Sequence, residues 1–147
     1  MILVDVVACG HYNPAHSNCE YWDLSHSYWH SIDAYPFSTD ISQYAIVYHD
    51  LAFFYFGGYQ NSKTIAKLDS QTYEWTKVGE LNQGRYSHAV IQLDNSFICI
   101  GGFGLQKTER CELKNNTMTC ESQAPELQDY RQNPELVLVS DDFCQEK

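Results

Sequence analysis

The sequence predicts an all-β fold assembled from repeated four-stranded antiparallel units. Three observations lead there. Aromatic residues make up 14% of the 147 positions, with 11 Tyr, 7 Phe and 3 Trp, and such side chains suit pleated, half-buried surfaces. Apolar runs are short and bounded by Gly, Asp, Asn and Ser, as strands between turns are. No long window carries apolar residues at i, i+3, i+4 and i+7, so almost no helix is expected.

The repeat fixes the order of the elements. An apolar run ending in Gly occurs at ILVDVVACG (2–10), LAFFYFGG (51–58) and SFICIGG (96–102). Each is followed by a polar loop and a second segment: CEYWDLSHSYW (19–29), KLDSQTYEW (67–75) and CELKNNTMTC (111–120). Trp29, Trp75 and Cys120 stand 46 and 45 positions apart, and Gly58 and Gly102 stand 44 apart. Units at roughly 1–40, 41–86 and 87–131 follow, with a partial unit at 132–147. In the second unit strands are expected near 44–48, 51–57, 64–69 and 73–78, with turns at His49-Asp50 and Asp69–Thr72. In the third they fall near 88–93, 96–101, 108–113 and 118–122, with turns at Asp94-Asn95 and Lys114–Thr117. PELVLVSDDFC then reads as two strands around Ser140-Asp141-Asp142.

A four-stranded unit of this length cannot bury both faces alone. Radial stacking about an axis solves the problem, which is the propeller architecture. The residues resemble the kelch family. That repeat has a strand ending in Gly-Gly, a variable loop, a Trp about 17 residues later, and often an Arg opening the next unit. Gly57-Gly58, Tyr73, Trp75 and Arg85 match it; Gly101-Gly102 match, with Cys120 in place of the Trp; the first unit has Trp29 but Ala8-Cys9-Gly10. Arg131 opens the last unit, 46 positions after Arg85. The resemblance covers nearly the whole chain and implies a partial kelch-type β-propeller. Its glycines, Trp29, Trp75 and Arg85 are expected to pack, the glycines for close approach and φ > 0, the Arg on backbone carbonyls. Propellers close with typically 4–8 blades, and about 3.2 units are present here. The chain is therefore expected to be a fragment of a larger ring, opening with a strand at its N-terminus.

Composition narrows the function. A net charge of −10 with only 9 Lys and Arg argues against nucleic acid, which needs cations to neutralise phosphate. No stretch approaches the apolar length of a membrane helix, and no membrane insertion is expected. None of the six cysteines forms a CxxC pair. If Leu113 faces Met118 across the hairpin, Cys111 faces Cys120, close enough for a disulfide; the alternative is two small buried thiols. Asn115-Asn116-Thr117 in the same turn is a glycosylation acceptor triplet. Together they favour an extracellular compartment over the cytoplasm, given a leader upstream. His26 and His30 are four apart, but no carboxylate or Cys joins them at a recognised spacing, so no metal and no cofactor are expected. No nucleophile elbow, phosphate loop or dinucleotide fingerprint occurs.

The resemblance implies a protein-binding scaffold, not an enzyme. Its partner would meet the loops after the double glycines and the segments between units. Tyr59, Tyr86, Phe103 and Tyr130 are the candidate anchors there, since exposed aromatics serve that role. Two alternatives stand beside this one: a copper enzyme like galactose oxidase, whose metal site draws on Tyr and His, and a nonfunctional truncated gene product.

Overall fold

Alternation with period two decides which way each strand faces, and the two faces of the central strands are both apolar. The computed structural model describes residues 6–9, 19–23, 25–33, 36, 42–59, 63–123 and 126–138. Its strands are β1 (Val6–Cys9), β2 (Cys19–Asp23), β3 (Tyr28–Ile32), β4 (Ala45–His49), β5 (Ala52–Phe56), β6 (Thr64–Asp69), β7 (Trp75–Glu80), β8 (Ala89–Leu93), β9 (Ser96–Ile100), β10 (Thr108–Lys114) and β11 (Thr117–Gln123). The fold is all-β, with no helix among the described residues. The strands expected in the second and third units are present, with ends shifted by up to two residues.

Strands β4 to β7 form one antiparallel meander and β8 to β11 a second. The turns place Asp50 and Leu51, Asp94, and Asn115 and Asn116 at positive φ, a region that Asp and Asn enter more readily than other side chains. Paired positive φ values match the right-handed twist of the flanking strands. At Asp69 the carboxylate accepts the Gln71 and Thr72 amides at 2.8 and 3.0 Å, which hold its pKa below the usual value. The meanders join through one parallel pair, Met118 beside Gly79. A Cβ on Gly79 would overlap the Met118 backbone, so glycine is required for this approach. At the far ends β4 and β8 also touch, where Gln92 Nε2 lies 2.6 Å from His49 Nδ1. The result is a single eight-stranded sheet folded back on itself.

The core lies between the two meanders. Phe54, Phe56, Ile65 and Val78 face Phe97, Cys99, Cys111 and Met118, with the Phe97 ring 5.3 Å from Phe54 and 5.5 Å from Phe56. The opposite face of β4–β7 carries Tyr55, Ala66 and Leu68, which pack with Cys19 and Ile32 of the three-stranded sheet β1–β2–β3. Each fully buried side chain of this size contributes about 1.5–3 kcal/mol.

Backbone hydrogen bonds between units repeat. Gly58 N donates to Arg85 O, Tyr59 N to Ser42 O and Ser87 N to Gln43 O. From 44 to 46 residues later Gly102 N donates to Arg131 O, Phe103 N to Tyr86 O and Asn133 N to Ser87 O. The sequence period is thus a period of backbone geometry.

Two expectations need correction. Trp29 is 43% exposed, edge-on to Trp22 at 5.3 Å, because no described element packs on its face of β3. Residues 134–138 lie in no strand, since no described strand lies beside them. The turn expected at Ser140-Asp141-Asp142 lies outside the described residues.

Candidate functional site

A double glycine closes β5 and another closes β9. Gly57 and Gly58 have φ of 67° and 107°, Gly101 and Gly102 of 70° and 119°, values in the left-handed region that side-chain-bearing residues avoid. The chain therefore turns sharply at the same point of each meander. Tyr59 and Phe103 follow directly, and their amides are tied to Ser42 and Tyr86 as described above. Both side chains are delivered to one rim, at 57% and 56% exposure. Tyr86, half-buried, sits between them. Its ring is 5.4 Å from Tyr59, edge to face, and 5.4 Å from Phe103, nearly parallel. Three of the four aromatics singled out in the sequence thus form one row, drawn from two loops and the segment between units. Tyr130 is 61% exposed and makes no ring contact with the row.

The row rests on a rigid base. Arg85, beside Tyr86, is buried. Its Nη1 donates to the carbonyls of Gly101 and Lys107 at 2.9 and 3.0 Å, and its Nη2 to Glu109 Oε1 at 2.7 Å. Glu109, equally buried, also accepts the amides of Asn82 and Gln83 at 2.8 and 3.0 Å. Arg85 contacts the carbonyls expected of it; Glu109 was not foreseen. A buried cation needs an anion, and Glu109 stands on the inward face by alternation, so that demand was the available signal. His88 is also buried. Burial first, and the Arg85 charge second, push its pKa down to about 3, so it is neutral near pH 7. Burial pushes the Cys99 thiol up to about 12, which keeps it protonated and unreactive.

Cys111 and Cys120 form a disulfide, in the register read from the sequence: Leu113 faces Met118 and Cys111 faces Cys120. A second disulfide joins Cys9 and Cys19, facing residues of β1 and β2. Sequence reading missed it because the intervening loop hides the register. Asn115 is exposed at the tip of the β10–β11 hairpin, at φ 50°. On the β2–β3 turn, Asp23 accepts the Ser25 and His26 amides and lies 2.7 Å from His26 Nδ1. Hydrogen bonds from the Ser25 and His26 side chains come first in holding its carboxyl well below the usual range. Among the described residues no group of three His, Cys, Asp or Glu is placed to hold a metal ion. The rim offers aromatic faces and edges, which can bind apolar, planar or cationic groups.

The fold has a solved counterpart. The structure of YjhT shares it. The two superpose with a TM-score of 0.72 at 14% sequence identity, over 90% of this chain and 52% of the YjhT chain. This chain therefore spans about half the length of that neighbour, and at this identity the likeness concerns the fold alone. No protein-family model matches the chain, and no curated protein does.

Proposed function

We propose that the chain is an arc of a kelch-type β-propeller that binds a partner protein through the rim formed by Tyr59, Tyr86 and Phe103. The observation that carries this reading is the convergence of three aromatics, two of them more than half exposed, from separate segments. The exposed halves of these two rings add nothing to the fold's stability, whereas a partner that covers them gains a large buried area. Support for the propeller arc comes from the two four-stranded meanders packed face to face and from the recurring inter-unit bonds. The net charge of −10 favours a basic partner, steered by the field of the whole domain. Two disulfides suit an oxidising compartment.

The test compares partner capture by the wild type and by Tyr59→Ala/Phe103→Ala, with Thr119→Ala, an exposed residue of β11, as control. Aromatic anchors at an interface each carry about 2 kcal/mol or more, so losing two should lower affinity for a captured protein by about 4 kcal/mol, ~1000-fold, with affinity held in the control. Equal binding by all three would refute the rim as the binding surface.

A further inference from the structure

Of the eight asparagines in the sequence, only Asn115 has Ser or Thr two positions later. Asn116 between them is not proline, so Asn115-Asn116-Thr117 is a complete acceptor triplet. The rim makes no use of it. The fold sets the triplet at the tip of the β10–β11 hairpin, just beyond the facing pairs Leu113–Met118 and Lys114–Thr117. Lys114, Asn115, Asn116 and Thr117 are all exposed.

That exposure belongs to the place in the unit. The matching turn of the second unit joins β6 to β7, and that unit packs against a neighbour on both of its faces. Gln71 and Thr72 at its tip are exposed all the same. Neighbouring units cover the faces of a sheet and leave the tip of its outer hairpin in water, so a further unit beside β8–β11 would leave Asn115 open as well.

The base of the hairpin is fixed. Cys111 is bonded to Cys120, and Leu113 N donates to Asn95 O at 3.4 Å. The disulfide ties this hairpin to an oxidising compartment, the setting in which such triplets are modified. The tip also lies away from the aromatic rim. Phe103 precedes β10 and Asn115 follows it, so the two stand at opposite ends of that strand. Seven residues at about 3.4 Å each put roughly 20 Å between them.

We propose that Asn115 carries an N-linked glycan, which covers the end of the third unit opposite the rim and leaves Tyr59, Tyr86 and Phe103 open. The donor is an oligosaccharide joined through its C1 to a polyprenyl diphosphate. The Asn115 Nδ2–C1 bond forms, the C1–O bond to the diphosphate breaks, and one amide proton is released as the polyprenyl diphosphate leaves. No oxidant or reductant takes part. The site stands whether or not the rim binds a protein.

Peptide mapping of the protein purified from its own cells tests this. Trypsin cuts after Arg110, Lys114 and Arg131, so residues 111–114 and 115–131 come away joined by the Cys111–Cys120 bond, and one species reports both the bond and the site. Glycosidase treatment in heavy-oxygen water before the digest should turn Asn115 into a labelled Asp. Untreated protein should give no bare form of this species. Asn115→Gln and Thr117→Ala, expressed through the secretory route of animal cells, should lose the glycan mass and keep the Cys111–Cys120 bond; Thr117→Ser should keep both. An intact bond beside a bare Asn115, free Cys111 and Cys120 thiols, or a glycan that survives Thr117→Ala would each overturn the proposal.

Discussion

Glu109→Ala should be the most damaging single change beneath the aromatic rim. It removes a carboxylate that accepts from Arg85 Nη2 and from the Asn82 and Gln83 amides. It also leaves Arg85, which is 1% exposed, as a buried cation without a counter-charge. Breaking a buried pair from one side costs about 3–5 kcal/mol, most of it the penalty of the orphaned charge. Urea unfolding followed by tryptophan fluorescence measures this. At a typical slope of about 1–3 kcal/mol per molar, the midpoint should fall by about 2 M. The double variant Arg85→Met/Glu109→Met should lose less than the sum of the two single methionine variants, because neither charge is then left alone. A Glu109→Ala midpoint within about 0.3 M of wild type would mean that water reaches the pair, and the account of a dry, rigid base under Tyr86 would fail.

Four further outcomes are expected. Peptide mapping without reductant should recover Cys111 with Cys120 and Cys9 with Cys19; replacing the Cys111–Cys120 pair by Ala should cost about 2–3 kcal/mol for a loop of this size. Gly101→Ala should cost about 2–4 kcal/mol by thermal melt, since φ is +70° and a Cβ would lie 2.5 Å from Arg131 O, whereas Gly104→Ala, at φ +68° with open space around it, should cost about 1; equal losses would show that Arg131 does not press on the turn. Trp75→Ala should cost about 2–3 kcal/mol, below the value for a fully buried ring, because the side chain is half-buried against Tyr55 at 4.9 Å. His88 binds a proton more readily unfolded, near pH 6.5, than folded, near 3, so stability should fall as pH drops through that window, at up to ~1.4 kcal/mol per unit; His88→Leu should flatten the slope, and an unchanged slope would place His88 in water.

The sequence was most legible where one strand ran into the next through a short turn. Asp94-Asn95 and Lys114–Thr117 gave register directly, and register gave the facing cysteines of β10 and β11. It was least legible where a loop separated the partners, as between Cys9 and Cys19. The aromatic row was half legible. Position after the double glycine marked Tyr59 and Phe103, but their meeting at Tyr86 depends on how units stack, which spacing does not encode. Trp29 shows the converse. Its place in the repeat implied burial, yet burial needs a neighbouring face as well as the right residue.

The distribution of covalent links follows from the same packing. The middle meander buries both faces: Phe54 and Phe56 on one side, Tyr55 and Leu68 on the other. It contains no cysteine. Among the described residues the flanking units bury one face each, and each contains a disulfide. A unit with one covered face gains less from burial against the same backbone entropy. A cross-link reduces that entropy in the unfolded chain without needing a second face. The third unit shows the exchange at one position. Where the second unit places Trp75 against Tyr55, the third places Cys120 against Cys111, and the bond holds β11 to β10.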